Sequence, residues 1–256
     1  MAAIDVDHEL QGPADAPILL LSNSLGSTRA MWDAQMPALT RHLRVVRYDM
    51  RGHGASPVPP GPYELDDLGA DALALLDRLD IRRAHVAGLS IGGLASMWLA
   101  LHAASRVDRL ALLATSARFE PASLFRERAS LARREGTAAL AQGVVGGRWL
   151  TEPFGQAHPE IVTRLQGMVA ETPAEGYAGC CELLADTDLR EEVTAIRAPT
   201  LVLAGAEDPS APPDHSRRLA AAIPGARLEV LAGAAHLLNI EAPEAVSELL
   251  LEHFLG

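Results

Sequence analysis

Six short apolar runs, separated by longer helical patterns, restrict what this chain can fold into. They lie at 18–21, 45–46 within LRVVRYD, 85–88, 107–113, 200–204 and 228–231. Each is about strand length, and most lack polar alternation. Strands of a parallel sheet covered on both faces read this way. Between the runs, 65–79 sets Leu65, Leu68, Ala72, Leu75, Leu76 and Leu79 along one helical stripe. Residues 92–104 are small and apolar, as in a buried helix, and 243–254 reads as a C-terminal helix. This alternation predicts an α/β fold with a mostly parallel, doubly wound sheet.

One interval breaks the rhythm. From 118 to 189 no strand pattern is evident, and helical stretches such as 123–135 and 137–145 dominate. The expected organisation is therefore a core of residues 1–117 and 190–256, with a helical cap at 118–189. A chain of 256 residues with 48% apolar composition can fill such a core. The formal charge of -11 repels phosphate backbones and argues against nucleic acid as a partner. It also means that an anionic ligand needs local arginines. The two cysteines, Cys180 and Cys181, are adjacent, which suits neither a disulfide framework nor a metal site. The opening MAAIDVDHELQG does not read as a secretory signal. No run reaches the ~20 apolar residues of a membrane helix. The expectation is a cytoplasmic protein with no membrane partner; nothing fixes its oligomeric state.

Gly88-Leu89-Ser90-Ile91-Gly92 fits G-x-S-x-G, with a strand pattern before it and a helix pattern after it. That is the setting of a nucleophile elbow, which makes Ser90 the candidate nucleophile. A serine hydroxyl needs a base to take its proton. His236, just past the last strand pattern, is placed for this role; His53, in RGHG, is the alternative and reads as part of a structural turn. Asp208, after the 200–204 run, would orient the imidazole, with Glu207 a possible substitute. The order Ser, Asp, His suits this kind of fold. Two N–H donors are needed for the developing oxyanion. Ile91 follows the nucleophile, and Leu25 lies in the loop after the first run, so both are candidates.

The sequence resembles the α/β hydrolases throughout, and within them the 3-oxoadipate enol-lactonase family. The resemblance is carried by LSNSLGSTRAMWDAQ at 21–35, YDMRGHGAS at 48–56, GLSIGG at 88–93, GYAGCCELLADTDL at 176–189 and AAHLLNIEAPE at 234–244. It implies a cofactor-free hydrolysis in which Ser90 opens a small anionic lactone and His236 then activates water. It also implies a cap arginine for the substrate carboxylate. Of Arg118, Arg126, Arg128, Arg133, Arg134, Arg148 and Arg164, the choice falls on Arg133, with Trp149 as an aromatic wall. Phe125 stands where the family pattern suggests tryptophan. A general carboxylesterase or cofactor-free perhydrolase would share the same three residues, and a ligand receptor could keep them unused. Dehalogenases and epoxide hydrolases would carry aspartate in place of Ser90.

Overall fold

The computed structural model describes residues 2–256. Among them the apolar runs become strands of a seven-stranded sheet: β1 (His8–Gln11), β2 (Ile18–Ser22), β3 (Arg44–Tyr48), β4 (Ala84–Leu89), β5 (Val107–Leu113), β6 (Thr200–Gly205) and β7 (Arg227–Leu231). Their spatial order is β1-β3-β2-β4-β5-β6-β7. Every neighbouring pair is parallel except β1 with β3. The chain thus has the mostly parallel α/β architecture that the alternation predicts. β4 and β6 are buried along their whole length, which is why they read as unbroken apolar runs. β1 is a partly exposed edge strand, HELQ, and its polar composition hid it in the sequence.

The helices, in chain order, are α1 (Met36–Leu39), α2 (Leu65–Arg78), α3 (Ile91–His102), α4 (Ala122–Glu135), α5 (Ala138–Val144), α6 (Glu152–Ala157), α7 (Pro159–Glu171), α8 (Ala174–Asp186), α9 (Pro213–Ala222), α10 (Leu238–Glu241) and α11 (Pro243–Leu255). Helix α3 has nine buried residues, and its small side chains let it lie close on the sheet. Helices α4 to α8 all fall between β5 and β6, and a π-helical turn at Val145–Trp149 interrupts them.

Glycines seat this helical layer on the core. A Cβ on Gly52 would lie 2.4 Å from the Gly176 Cα, and one on Gly176 would lie 2.1 Å from the Gly52 carbonyl oxygen. One turn along α8, a Cβ on Gly179 would meet the Tyr63 ring at 2.8 Å. The glycines of GYAGCC therefore let backbone meet backbone and ring at the seam. The cysteines beside them are free and buried. Burial pushes the Cys180 thiol up to about 12, so it behaves as an apolar filler.

This packing makes two opposite predictions for thermal unfolding. Gly52→Ala adds a clash at a residue with φ of 74°. It should cost about 1–3 kcal/mol and lower Tm by several degrees. Gly143, inside α5, has nothing within 4 Å of its added Cβ. Gly143→Ala should raise stability by about 0.5–1 kcal/mol, because alanine favours the helix.

Candidate active site

Parallel strands bring their C-terminal ends to one edge of a sheet, and ligands bind outside that edge. Ser90 follows β4, Asp208 follows β6, His236 follows β7 and Leu25 follows β2. Four segments far apart in sequence are thus delivered to one rim.

Ser90 sits at φ 59° and ψ -120°, a conformation that costs a non-glycine residue about 1–3 kcal/mol. Its surroundings explain how the turn is held. The Ser90 N–H donates to the Leu113 carbonyl (2.9 Å), and the Thr115 hydroxyl donates to the Ser90 carbonyl (2.7 Å). A Cβ on Gly88 would lie 2.1 Å from the Gly92 carbonyl oxygen, one on Gly92 2.5 Å from the Ser22 carbonyl oxygen, and one on Gly93 2.6 Å from Thr115 Oγ1. The glycines of GLSIGG are steric requirements of this reversal.

Asp208 and His236 are both buried and form a direct pair: His236 Nδ1 donates to Asp208 Oδ2 at 2.8 Å. The other carboxylate oxygen accepts from the backbone N–H groups of Ser210 (2.7 Å) and Ala211 (3.0 Å). Burial alone would raise the Asp208 pKa. The charge and hydrogen bond of His236, with the two N–H donors, outweigh it and hold the carboxyl below its ordinary value. Glu207 is exposed, and Asp208 takes the histidine instead. Gly205 lets the histidine loop approach: its Cβ would lie 2.1 Å from the Ala235 carbonyl oxygen. Glu241 then fixes that loop, accepting from the Ala235 N–H (2.5 Å) and from both the N–H and hydroxyl of Thr151 (each 2.8 Å).

Ser90, His236 and Leu25 line one narrow cleft of ≈ 380 Å³ of empty space, mouth included. The hydrogen bond recorded for the His236 ring is the one from Nδ1 to Asp208, and catalytic bonds from such a hydroxyl to its base often tighten only when substrate is bound. Across the cleft stand Phe125, Arg128, Arg148, Trp149 and Tyr177. The π-helical turn places Arg148 and Trp149 there, and the Leu237 N–H donates to the Trp149 carbonyl (2.9 Å). Ile91 begins α3 directly behind Ser90, so its N–H belongs to the free first turn of a helix.

The structure corrects the choice of Arg133. That side chain lies outside the cleft, its Nε 3.0 Å from Glu175 and its other nitrogens on Glu182. These two glutamates of α8 satisfy its charge. Arg128 and Arg148 face the cleft and make no ion pair among the described residues. Burial, followed by repulsion from Arg128, lowers the Arg148 pKa. A larger hollow elsewhere, between Arg118, Arg190 and α9, has neither Ser90 nor His236 on its walls. No group of three or more possible metal-binding side chains is present among the described residues. Nor is any helix there long and apolar enough to cross a membrane.

Comparison with known proteins adds the decisive observation: the model of the α/β-hydrolase fold matches residues 17–243. The chain belongs to the α/β-hydrolase family. A 3-oxoadipate enol-lactonase of Acinetobacter baylyi is 43% identical, over 94% of this chain and 90% of its own. The crystal structure of the enol-lactonase from Burkholderia xenovorans LB400 superposes with a TM-score of 0.97 at 40% identity, covering 100% of this chain and 99% of that one. A hydrolase from Pseudomonas aeruginosa PA01 gives a TM-score of 0.94 at 48% identity, over 98% and 94% of the two chains. This chain is an enzyme, a hydrolase of that family.

Two substitutions test the assignment of parts. Asp208→Asn should keep the fold and lower kcat by about 10⁴, because the imidazole loses its fixed tautomer. Glu241→Gln should lower kcat by about tenfold or less, since it only loosens the loop that carries His236. Steady-state kinetics on any turned-over ester reads both. Equal losses would mean that Asp208 acts as scaffold alone.

Proposed function

We propose that this hydrolase opens 3-oxoadipate enol-lactone to 3-oxoadipate through an acyl-enzyme on Ser90. The observation that carries the reading is the pair of unpaired guanidiniums, Arg128 and Arg148, on the same cleft as Ser90 and His236. On a chain of net charge -11, two uncompensated cations at one site call for an anionic ligand. The enol-lactonase names of the relatives from Acinetobacter and Burkholderia support the same substrate.

The chemistry follows from the parts. The lactone enters with its carboxylate toward Arg128 and Arg148, and its ring against Trp149 and Phe125. Ser90 Oγ attacks the acyl carbon while His236 Nε2 takes the hydroxyl proton. Asp208 holds the Nδ1–H and stabilises the imidazolium. The N–H groups of Leu25 and Ile91 meet the oxyanion. Collapse breaks the ring C–O bond, and the leaving oxygen departs as an enol that tautomerises to the ketone. An enolate leaves easily, so its protonation demands little of His236. Water, deprotonated by His236, then attacks the acyl-enzyme and releases the dicarboxylate.

Ser90→Ala should abolish turnover of enol-lactone generated in situ. With the native enzyme, the lactone should exceed p-nitrophenyl esters in kcat/KM by at least about tenfold. The reverse preference would indicate a general esterase and end the lactonase reading. Arg128→Gln and Arg148→Gln should each raise KM for the anionic lactone about tenfold or more, and leave a neutral ester almost unchanged. Arg133→Ala should change both substrates little and equally, because its charge is spent on Glu175 and Glu182.

A further inference from the structure

His53 is fully buried beneath the loop after β2 and touches none of the reacting groups. Its two ring nitrogens have different partners. Nε2 accepts the Gly26 N–H at 2.9 Å, and Nδ1 lies 3.1 Å from the Arg51 carbonyl oxygen. A nitrogen that accepts an N–H carries no proton, and a carbonyl can only accept. The ring is therefore neutral, with its proton on Nδ1 and its lone pair aimed at Gly26. Burial acts the same way, lowering the pKa of the imidazole.

The loop it holds is the one that carries Leu25. On one side, the Ser24 carbonyl accepts from the Ser27 N–H (3.2 Å) and hydroxyl (2.8 Å). That carbonyl shares a peptide plane with the Leu25 N–H, so these bonds set the direction in which the N–H points. On the other side, the next peptide carries the Gly26 N–H, and His53 holds it. Gly26 has φ of 75° and lies against Tyr177, with 3.0 Å from an added Cβ to the ring. Behind His53, the Arg51 side chain is fully buried in a bidentate pair with Asp71, at 2.7 and 2.8 Å. A rigid line thus runs from α2 through Arg51 and His53 to the peptide next to Leu25.

We infer that His53 is a positioning residue that keeps the Leu25 N–H aimed at the developing oxyanion. It rests on the proposed role of Ser90 and Leu25 in acyl transfer but not on the identity of the lactone. Removing its lone pair leaves the Gly26 N–H buried and unpaired, and frees the peptide between residues 25 and 26 to rotate. The loss falls on the transition state, where the oxyanion exists, and spares the bound ester.

The test compares wild type, His53→Ala, His53→Gln and Ser90→Ala on p-nitrophenyl butyrate, with inhibition by an arylboronic acid as a readout of tetrahedral-adduct binding. A glutamine amide can both accept from Gly26 and donate to Arg51, so it restores the pattern of the imidazole. His53→Ala should lower kcat about tenfold to a hundredfold, leave KM within about twofold, and weaken the boronate by a factor similar to the loss in kcat. His53→Gln should recover most of both. Full activity of His53→Ala overturns the inference. So does a rise in KM with kcat unchanged, or a His53→Gln variant that folds and is as impaired as His53→Ala. If His53→Ala does not fold, His53→Gln alone decides: near-native kcat and boronate affinity support the role, and loss of both overturns it. An active Ser90→Ala would instead overturn the nucleophile assignment, so the two failures are distinguishable.

Discussion

The reversal of the chain at Ser90 takes place in a space with no room for side chains at Gly88, Gly92 and Gly93. β4 arrives buried between β2 and β5, and α3 leaves at once across the same sheet. The backbone at Ser90 is left at a positive φ that serine adopts only when the flanking elements dictate it. Packing of β4 and α3 offsets that strain, since β4 is wholly buried and α3 buries nine of its twelve residues. The result is a hydroxyl raised above the carboxyl edge of the sheet. Because β2, β6 and β7 run parallel to β4, their following loops reach the same edge. The separation in sequence between Leu25, Ser90, Asp208 and His236 follows from that topology.

The helical layer above the edge is coupled to the groups beneath it. Trp149 accepts from Leu237, next to His236, and Thr151 shares the carboxylate of Glu241 with Ala235. On the other side, Gly52 and Gly176 meet backbone to backbone. Residues that line the cleft and residues that support the candidate base therefore lean on each other. The same closeness concentrates charge. Arg128 and Arg148 line the same cleft, whose other walls are mostly aromatic and aliphatic, with Ser24, Ser90, Ser210 and His236 among them. Two cations left together without a carboxylate carry an electrostatic cost in the absence of a counter-charge.

Much of this was legible in the sequence, for physical reasons that differ between elements. β2, β4, β5 and β6 are covered on both faces, so their composition had to be apolar, and they were visible as runs. β1 is an edge strand with one partner, and four residues of mixed polarity leave no such mark. Ser90, Asp208 and His236 could be singled out because each follows a strand pattern in the order the fold requires. Arg133 could not be told from Arg128 in the same way. The buried side of α4 holds Phe125, Ala129 and Ala132. Five residues on a helix turn about 140°, so Arg128 and Arg133 flank that buried stripe on opposite sides. Periodicity locates the stripe but does not tell which flank faces the nucleophile. Likewise, nothing in VVGGRW announces the π-helical turn that brings Arg148 and Trp149 to the cleft.

By itself the sequence determined the layered α/β architecture, the elbow at Ser90 and the candidate acid and base. These are written in local patterns: burial sets composition, and a tight reversal demands glycine. Only the tertiary structure decided which arginines of the helical layer between β5 and β6 remain unpaired, which carboxylate holds His236, and that His53 bonds the loop of Leu25. Each of those depends on segments that meet across the sheet edge or where the helical layer lies on the core. A charge or a lone pair acquires its role from the partner it faces, and that partner lies tens or hundreds of residues away along the chain.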